Sequence, residues 1–393
     1  MKGFSKKVRW LALAVIWASA GGAPSSAQPA KWVELHEDRR PNWRLVSGAT
    51  LAYKEVQPRI EPEGQPGRIL VVFHKKSSSY DVALSRLLQS FAARKRWSTF
   101  SLVFYGGARH RLRRHLRLAE RGEYQLIFAM GSGSAVELNK SYRSGKVPVV
   151  TVCAKDPVLM GLVEDYAGDP EGNIAYTSLD VPVAGQLRYL KELRPDLRQI
   201  AVVYARSNAS AVQSQVEPLR IAAASEGIAV LDVAVENPET AREELEIKAE
   251  AAARALRSVD QPGEGSLFWI TGSTAVFDHI DVIWRHAGGL PVLAVTPSLV
   301  DGGPDGALLS IGVSFESNAE LAGVYALQIL SGRARAGELG VGVVMPPDIA
   351  IDMGKARALG LKIPFRLFEA AGVIYDEEGR LVRFNGRPVP RSR

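Results

Sequence analysis

Mostly polar residues stand at the ends of the apolar runs of this chain, where the carboxyl ends of β-strands are predicted. Serine and threonine hydroxyls and loop N–H groups can hold a carboxylate, lysine adds positive charge, and an aromatic ring can stack on a ligand ring. We predict that one small ligand is bound by a set drawn from these positions: His74, Ser77, Ser78, Ser132, Gly133, Ser134, Lys155, Asp156, Ser207, Asn208, Thr271, Ser273, Thr274, Ser298 and Phe315.

Some of these positions have a second, structural interpretation. Asp156 could pair with a ligand amine, but an aspartate followed by Pro157 is also a common start of a helix. Phe315 and Trp269 could stack on a ligand or belong to the core. The turn 131–134 reads GSGS and could receive an anion at a helix N-terminus, or be an ordinary strand-to-helix turn, because it lacks the remaining residues of a nucleotide loop.

The elements that must position these residues alternate in a βα order that occurs twice. Predicted strands, at 69–73, 99–104, 126–130 and 147–152, and then at 200–204, 229–235, 267–271 and 291–295, are separated by segments with helical spacing of apolar residues. Consecutive β-then-α units are typical of a parallel sheet with helices on both faces. We predict an α/β fold: two doubly wound parallel-sheet lobes joined by a hinge, with a cleft between the lobes.

The ends of the chain differ from this pattern. Lys6-Lys7-Val8-Arg9 precedes a short apolar run and small residues that end at Ala27, which is typical of a cleavable signal peptide; an uncleaved anchor is the alternative. We predict export to the periplasm and the following division: signal peptide 1–27, N-terminal arm and linker 28–67, lobe 1 at 68–178 and 316–350, lobe 2 at 179–315, and a C-terminal segment and tail at 351–393.

Composition and missing motifs exclude several classes of protein. The 393 residues are 46% hydrophobic and 23% charged, which is enough for two or three domains with proper cores. Cys153 is the only cysteine, so no intramolecular disulfide can form. The chain has no nucleotide P-loop, HExxH metal motif or GxSxG hydrolase motif, and His279 and His286 lie two helical turns apart. We therefore expect no cofactor, no metal, no enzymatic activity and no nucleic-acid partner.

Three segments carry a resemblance to a known family. They are VPVVTVCAKDPVLMGLV at 147–163, GNIA at 172–175, and IDMGKARALGLKIP at 351–364. These runs resemble the ABC-transporter substrate-binding proteins of the tryptophan/tyrosine-type family, which have the type I periplasmic-binding fold, and the resemblance extends from about residue 68 to 365. It implies a small-molecule ligand, such as a small organic or amino acid, and a membrane permease with its ATPase as partner.

Three departures from the family's pattern limit what the resemblance implies about the ligand. Residues 174–176 read IAY where the family has I-T-G. The segment 271–274 reads TGST, without the acid that the family usually carries there, and the loop 75–79 reads KKSSS. One acid fewer and two lysines more predict an anionic ligand in preference to a zwitterionic amino acid. A rival hypothesis is a periplasmic sensor of the same fold that signals to a membrane partner without transport, with the added arm and tail serving for docking.

Overall fold

The computed structural model describes residues 32–35, 41–47, 50–60, 66–261 and 264–390. The predicted signal peptide and parts of the predicted arm lie outside these residues. Among the described helices, none combines the length and the apolar composition that crossing a bilayer requires.

The first half of the chain builds a seven-stranded sheet with the strand order β1-β2-β4-β3-β5-β6-β7. Strands β3 to β7 run parallel, and β1 and β2 are antiparallel additions at one edge. The strands are β1 (Trp43–Ser47), β2 (Tyr53–Pro58), β3 (Gly67–Phe73), β4 (Ser98–Phe104), β5 (Leu126–Met130), β6 (Val149–Val152) and β7 (Ile174–Ala175). The helices between them are α1 (Ser78–Ala93), α2 (Arg109–Glu120) and α3 (Ser132–Tyr142).

The sequence of β3 explains why this sheet is buried on both faces. Successive side chains of a strand point to opposite faces. Ile69, Val71 and Phe73 pack with α1, whereas Leu70 and Val72 pack with α2 and α3 in a second core. Burying one such side chain stabilises the fold by roughly 1.5–3 kcal/mol, so a continuous apolar run is favoured where helices cover both faces.

The N-terminal arm completes this lobe. The Trp43 indole nitrogen donates a hydrogen bond to the Leu88 carbonyl oxygen of α1 at 3.1 Å. The Trp32 ring lies 5.5 Å from the Phe73 ring and 5.7 Å from the Phe104 ring. The arm therefore contributes two strands and two core tryptophans to this lobe.

The chain then passes through a short strand, β8 (Thr177–Ser178), into a second lobe. Its strands are β9 (Gln199–Ala205), β10 (Ala229–Val235), β11 (Ser266–Ile270), β12 (Val292–Ala294) and β13 (Leu309–Gly312). Its helices are α4 (Val183–Leu193), α5 (Ala209–Ala211), α6 (Glu217–Ser225), α7 (Ala241–Val259), α8 (Thr274–Phe277) and α9 (Ile280–His286). As in lobe 1, there is a buried core on each face of the parallel strands.

After β13 the chain returns to lobe 1 and then leaves it again. Helix α10 (Phe315–Leu330) packs on α1, and β14 (Gly342–Val343) pairs with β8 in a two-stranded parallel sheet. The remaining elements are β15 (Asp348–Asp352), α11 (Met353–Ala358), α12 (Phe365–Ala370), β16 (Val373–Tyr375), β17 (Leu381–Phe384) and β18 (Arg387–Pro388). The strand order of the second sheet is β10-β9-β11-β12-β13-β15-β16-β17-β18.

The C-terminal part of the chain differs from the sequence prediction. The prediction places residues up to 350 in lobe 1 and leaves 351–393 as a tail. In the structure β15 pairs antiparallel with β13 in the second sheet, and Leu367 and Ile374 are buried in the core of lobe 2. Three connections therefore join the lobes, where the sequence indicates two. The spacing of apolar residues identifies a strand but carries no information about which of two sheets it joins.

Candidate functional site

A cleft of about 740 Å³ lies between the two lobes. Loops that follow β3, β4, β5 and β6 line it from lobe 1, and loops that follow β9, β11 and β12 line it from lobe 2. The start of α10 closes it at the crossover. Open parallel sheets gather ligands beyond the carboxyl ends of their strands, and here two such edges face each other. The volume is within the usual range for small-molecule sites.

The structure brings most of the predicted site residues to this cleft. Those that line it are His74, Ser77, Ser132, Gly133, Lys155, Ser207, Asn208, Thr274 and Phe315. Those that do not are Ser78, Ser134, Asp156, Thr271, Ser273 and Ser298.

Side chains of this second group form hydrogen bonds within their own lobe, are buried, or are exposed away from the cleft. The Ser134 hydroxyl donates to the Val72 carbonyl oxygen at 3.2 Å, and the Thr271 hydroxyl donates to the Val203 carbonyl oxygen at 3.0 Å. Ser273 is buried where α8 begins. Ser78 and Ser298 are exposed outside the cleft. A position directly after a strand is thus not sufficient, because adjacent residues of a turn point in different directions.

Asp156 has a structural role, but it holds a turn and does not begin a helix. One carboxylate oxygen accepts the N–H groups of Val158 and Leu159 at 2.9 and 3.0 Å, and the other accepts the Tyr166 hydroxyl at 2.6 Å. The side chain is buried, and this turn occupies its acceptor sites. It does not face the cleft, so it offers no partner to a ligand amine.

A buried polar network connects the lobes at the floor of the cleft. One Asp180 oxygen accepts the Lys155 ammonium at 3.1 Å and the Gln215 amide nitrogen at 2.6 Å. The Gln215 amide oxygen in turn accepts the Gly272 N–H at 2.9 Å. Lys155 belongs to lobe 1, Gln215 and Gly272 to lobe 2, and Asp180 to the segment between them. We call these four residues the Asp180 bridge.

The bridge has partners that sequence reasoning missed. Asp180 and Gln215 belong to none of the motifs considered. The Lys155 and Asp180 side chains are 7% and 3% exposed, so the ion pair is strongly desolvated and each charge depends on the other. A Cβ atom on Gly272 would stand 2.5 Å from the Lys155 nitrogen, which shows how closely the backbone of lobe 2 approaches this cation.

The hinge is fastened to lobe 1 by a second set of buried hydrogen bonds. The Asn318 oxygen of α10 accepts the Cys153 N–H at 2.7 Å, and its nitrogen donates to the Ser178 carbonyl oxygen at 2.9 Å. The Thr177 hydroxyl donates to the Thr151 carbonyl oxygen at 2.7 Å. The first crossover, the end of β6 and the start of α10 therefore form one connected unit beside the cleft.

The lobe 1 wall of the cleft is positively charged and aromatic. Lys75, Arg109 and Lys155 line it, and Glu137 is paired with Arg109 at 3.1 Å. Rings of Tyr80 and Tyr105 stand beside them. Burial raises the pKa of the Tyr105 hydroxyl to about 12, so it stays protonated and can donate a hydrogen bond at neutral pH.

Two helices of lobe 1 begin at this wall without a side-chain cap. The Ser77 side chain, before α1, accepts no backbone N–H. Gly131, before α3, has no side chain that could accept one. Ser77, Ser132 and Gly133 line the cleft, so the first turns of both helices face it. Uncapped N–H groups and the helix dipole both favour negative charge at these points.

The lobe 2 wall carries no charged side chain among the described lining residues. Its polar members are Ser207, Asn208, Ser210, Gln213, Thr274 and Thr296, and its one aromatic ring is Phe277. In the described part of the chain, no group of three histidine, cysteine or acidic side chains could hold a metal ion. The described lining offers hydrogen bonding, charge attraction and apolar contact to a small molecule.

Comparisons with known proteins identify the class. Residues 110–374 match the family model described as ABC transporter substrate binding protein. A tyrosine-binding protein of Clostridioides difficile (strain R20291) is 24% identical over 242 residues; the match covers 60% of this chain and 63% of that relative. This chain therefore spans somewhat less than two thirds of its curated relative.

Solved structures show the same fold. The ABC domain from Streptococcus pneumonia in complex with L-Trp aligns with a TM-score of 0.61 at 18% identity, covering 78% of this chain and 99% of that one. A ligand-free, open substrate-binding protein with adhesive properties from Clostridium difficile aligns with a TM-score of 0.57 at 20% identity, covering 79% and 99%.

The chain belongs to the ABC transporter substrate-binding protein family, because the family model covers more than half of it. The predicted fold class, two doubly wound lobes of the type I periplasmic-binding kind, is confirmed. The predicted absence of enzymatic function agrees with the family, whose members bind substrates. The resemblance found in the segments at 147–163 and 351–364 led to the right family.

Proposed function

We propose that this protein is exported to the periplasm, captures a small solute between its lobes and delivers it to an ABC transporter permease with its ATPase. The observation that carries the proposal is the cleft, which is lined from both lobes at the carboxyl ends of their strands. The basic and apolar start of the sequence supports export. A tyrosine-binding relative and a similar structure with bound L-Trp support a ligand of amino-acid size with an aromatic group.

Capture follows from the geometry of the connections. A ligand that touches both walls has more contacts when the lobes close on it, so it shifts the population toward the closed form. The three connections can absorb a rotation of one lobe against the other, as in hinge closure. Closure also expels water from the cleft and strengthens each polar contact that remains.

Delivery requires that the permease distinguish the loaded form from the empty one. The ligand lies inside the protein, so the feature available for recognition is the relative position of the two lobes, which occupancy changes. The loaded protein would dock to the permease, and ATP hydrolysis would drive release and transport.

A first experiment tests capture. The exported chain is purified, its co-purified small molecules are identified by mass spectrometry, and binding is measured by calorimetry and small-angle X-ray scattering. We expect the ligand to reduce the radius of gyration. Phe315→Ala, at the crossover in the cleft, should weaken binding about tenfold through lost ring contact. Phe384→Ala, an exposed phenylalanine of β17, is the matched control and should bind as the parent does.

A second experiment tests delivery. The permease and ATPase encoded nearest to this gene are reconstituted in vesicles, and ATP hydrolysis is measured with empty and with loaded protein. Loaded protein should stimulate hydrolysis, and loaded Phe384→Ala should do so equally. Tight ligand binding without any stimulation would contradict delivery and would favour the sensor alternative.

A further inference from the structure

The charges of the cleft are unevenly matched. Three cationic side chains line it, Lys75, Arg109 and Lys155, and the first turns of α1 and α3 add the positive ends of two helix dipoles. Among the described lining residues Glu137 is the only acid, and it already forms an ion pair with Arg109. Lys155 is paired with Asp180 beneath the lining.

The carboxylates close to the cleft are also engaged. Asp180 accepts hydrogen bonds from Lys155, Gln215 and the Asp156 N–H, and Asp156 holds its own turn. An ammonium group in a desolvated cleft needs an opposite charge or several acceptors in place of its water. No uncommitted carboxylate in the described lining supplies that charge.

Donors for an anion are, in contrast, abundant. The Lys155 ammonium has three hydrogens and uses one on Asp180. The Ser132 hydroxyl, which accepts the backbone N–H of Lys155 at 2.9 Å, lines the same cleft. Uncapped N–H groups at the start of α3 lie directly beside Ser132. A carboxylate bound at this wall of lobe 1 has a cation, a hydroxyl and a helix N-terminus among the lining groups, and each favours negative charge.

The rest of the cleft fits an apolar body. Rings of Tyr80, Tyr105, Phe277 and Phe315 and the side chains of Met160 and Leu162 line it. Lobe 2 adds neutral hydroxyl and amide groups, which suit a hydroxyl or carbonyl substituent and leave a second charge without a partner.

We propose that the ligand is a small organic anion, a carboxylic acid with an aromatic or similarly apolar body and no ammonium group. The inference rests on the proposed function, because it concerns the ligand of that same cleft. It separates this protein from relatives named for amino acids: the Lys155 and α3 side of lobe 1 holds the carboxylate, and the described lining offers no uncommitted acid to an amine.

The test uses compounds that differ in one charged group. Calorimetry compares 3-phenylpropionate, phenylalanine and phenethylamine, and likewise indole-3-propionate, tryptophan and tryptamine. We expect the acids without an amine to bind about tenfold or more tightly than the amino acids, and the amines not to bind. Raising the salt concentration should weaken binding of the acids, because salt screens the attraction between exposed charges.

Matched variants locate the effect. Lys75→Gln removes an exposed cation of the cleft and should weaken binding of the acids about twofold to fivefold at low salt. Lys76→Gln removes the neighbouring exposed lysine, whose ammonium lies over the Phe104 ring and outside the cleft lining, and should leave binding unchanged. Thr274→Asp places a carboxylate on the lobe 2 wall and should shift the preference at least fivefold toward the amino acids.

The outcomes distinguish the two proposals. Tighter binding of the amino acids, or a co-purified ligand with an ammonium group, would overturn the anion proposal and leave solute capture standing. Binding of neither series together with a co-purified neutral solute would do the same. If no small molecule co-purifies and none closes the lobes, the proposed function fails, and the ligand class fails with it.

Discussion

The two walls of the cleft come from similar βα units, yet they differ in chemistry. Lobe 1 contributes cations, two uncapped helix starts and two tyrosine rings, whereas the described lining of lobe 2 contributes neutral hydroxyl and amide groups and one phenylalanine ring. A charged wall attracts a charged ligand from solution before the cleft closes. A neutral wall adds hydrogen bonds that form only when the lobes meet. We infer that the charges of lobe 1 select the ligand and that lobe 2 closes on the ligand once it is bound.

The Asp180 bridge is an exception to this difference between the walls, because it joins a cation of lobe 1 to groups of lobe 2. Lys155 lines the cleft at its floor and approaches the backbone of lobe 2. Its charge is balanced by Asp180, which also holds Gln215 of lobe 2. The comparison between the walls can therefore be tested first at this bridge, then elsewhere on lobe 1, and last on lobe 2.

The largest effect is expected for Lys155→Met. It leaves Asp180 buried without its counter-ion, and breaking a buried ion pair on one side costs about 3–5 kcal/mol of the free energy of unfolding. Adding Asp180→Asn removes the orphaned charge and should restore at least half of the stability without restoring ligand binding. Urea unfolding followed by circular dichroism measures both, with Lys76→Met as the control. Equal stabilities of Lys155→Met and Lys76→Met would show that the bridge does not hold the lobes.

A smaller effect concerns pH and the positive charge of lobe 1. His115 of α2 is half-buried; burial first, and then Arg114 and Arg68, lower the pKa of its imidazole from 6.5 to about 4. Its ring stacks on Tyr53 at 5.7 Å. Between pH 6.5 and 4 the unfolded chain binds this proton and the folded one does not. The contribution of neutral His115 to the free energy of unfolding is therefore fully present above pH 6.5, and it is lost as the pH falls toward 4.

This loss amounts to about 1–2 kcal/mol once solvent screening is allowed for. The variant His115→Gln should flatten the decline of the unfolding free energy over that pH interval, measured in urea at half-unit steps. His110→Gln on the exposed side of the same helix should keep the parent's slope. A parent-like slope in His115→Gln would place the acid sensitivity elsewhere in the molecule.

The smallest effect is expected on the neutral wall. Thr274→Val keeps the shape of an exposed cleft residue and removes its hydroxyl, which should cost about 0.5 kcal/mol of binding free energy in calorimetry. Ser298→Ala removes a hydroxyl of the same lobe outside the cleft and should change nothing. If Thr274→Val lost as much binding free energy as Phe315→Ala, this would contradict the view that the neutral contacts of lobe 2 contribute less to binding.

The outcome of the site prediction follows from the geometry of turns. His74, Ser132 and Lys155 line the cleft because they follow parallel strands whose carboxyl ends share one edge. Ser134, only two residues beyond Ser132, points into lobe 1 because side chains two positions apart on a helix lie about 200° apart around its axis. Position after a strand predicts the neighbourhood of a site, and the direction of each side chain depends on the local path of the backbone.

The sequence by itself determined the fold class, most of the βα order and the family, because these depend on local patterns: runs of buried apolar residues, helical spacing and short motifs. Only the tertiary structure decided that β15 joins the second sheet, that Asp156 holds a turn, and that Asp180 and Gln215 meet Lys155 beneath the cleft. Those contacts join residues far apart along the chain, and their energy comes from burial and mutual satisfaction of polar groups, which no local pattern encodes.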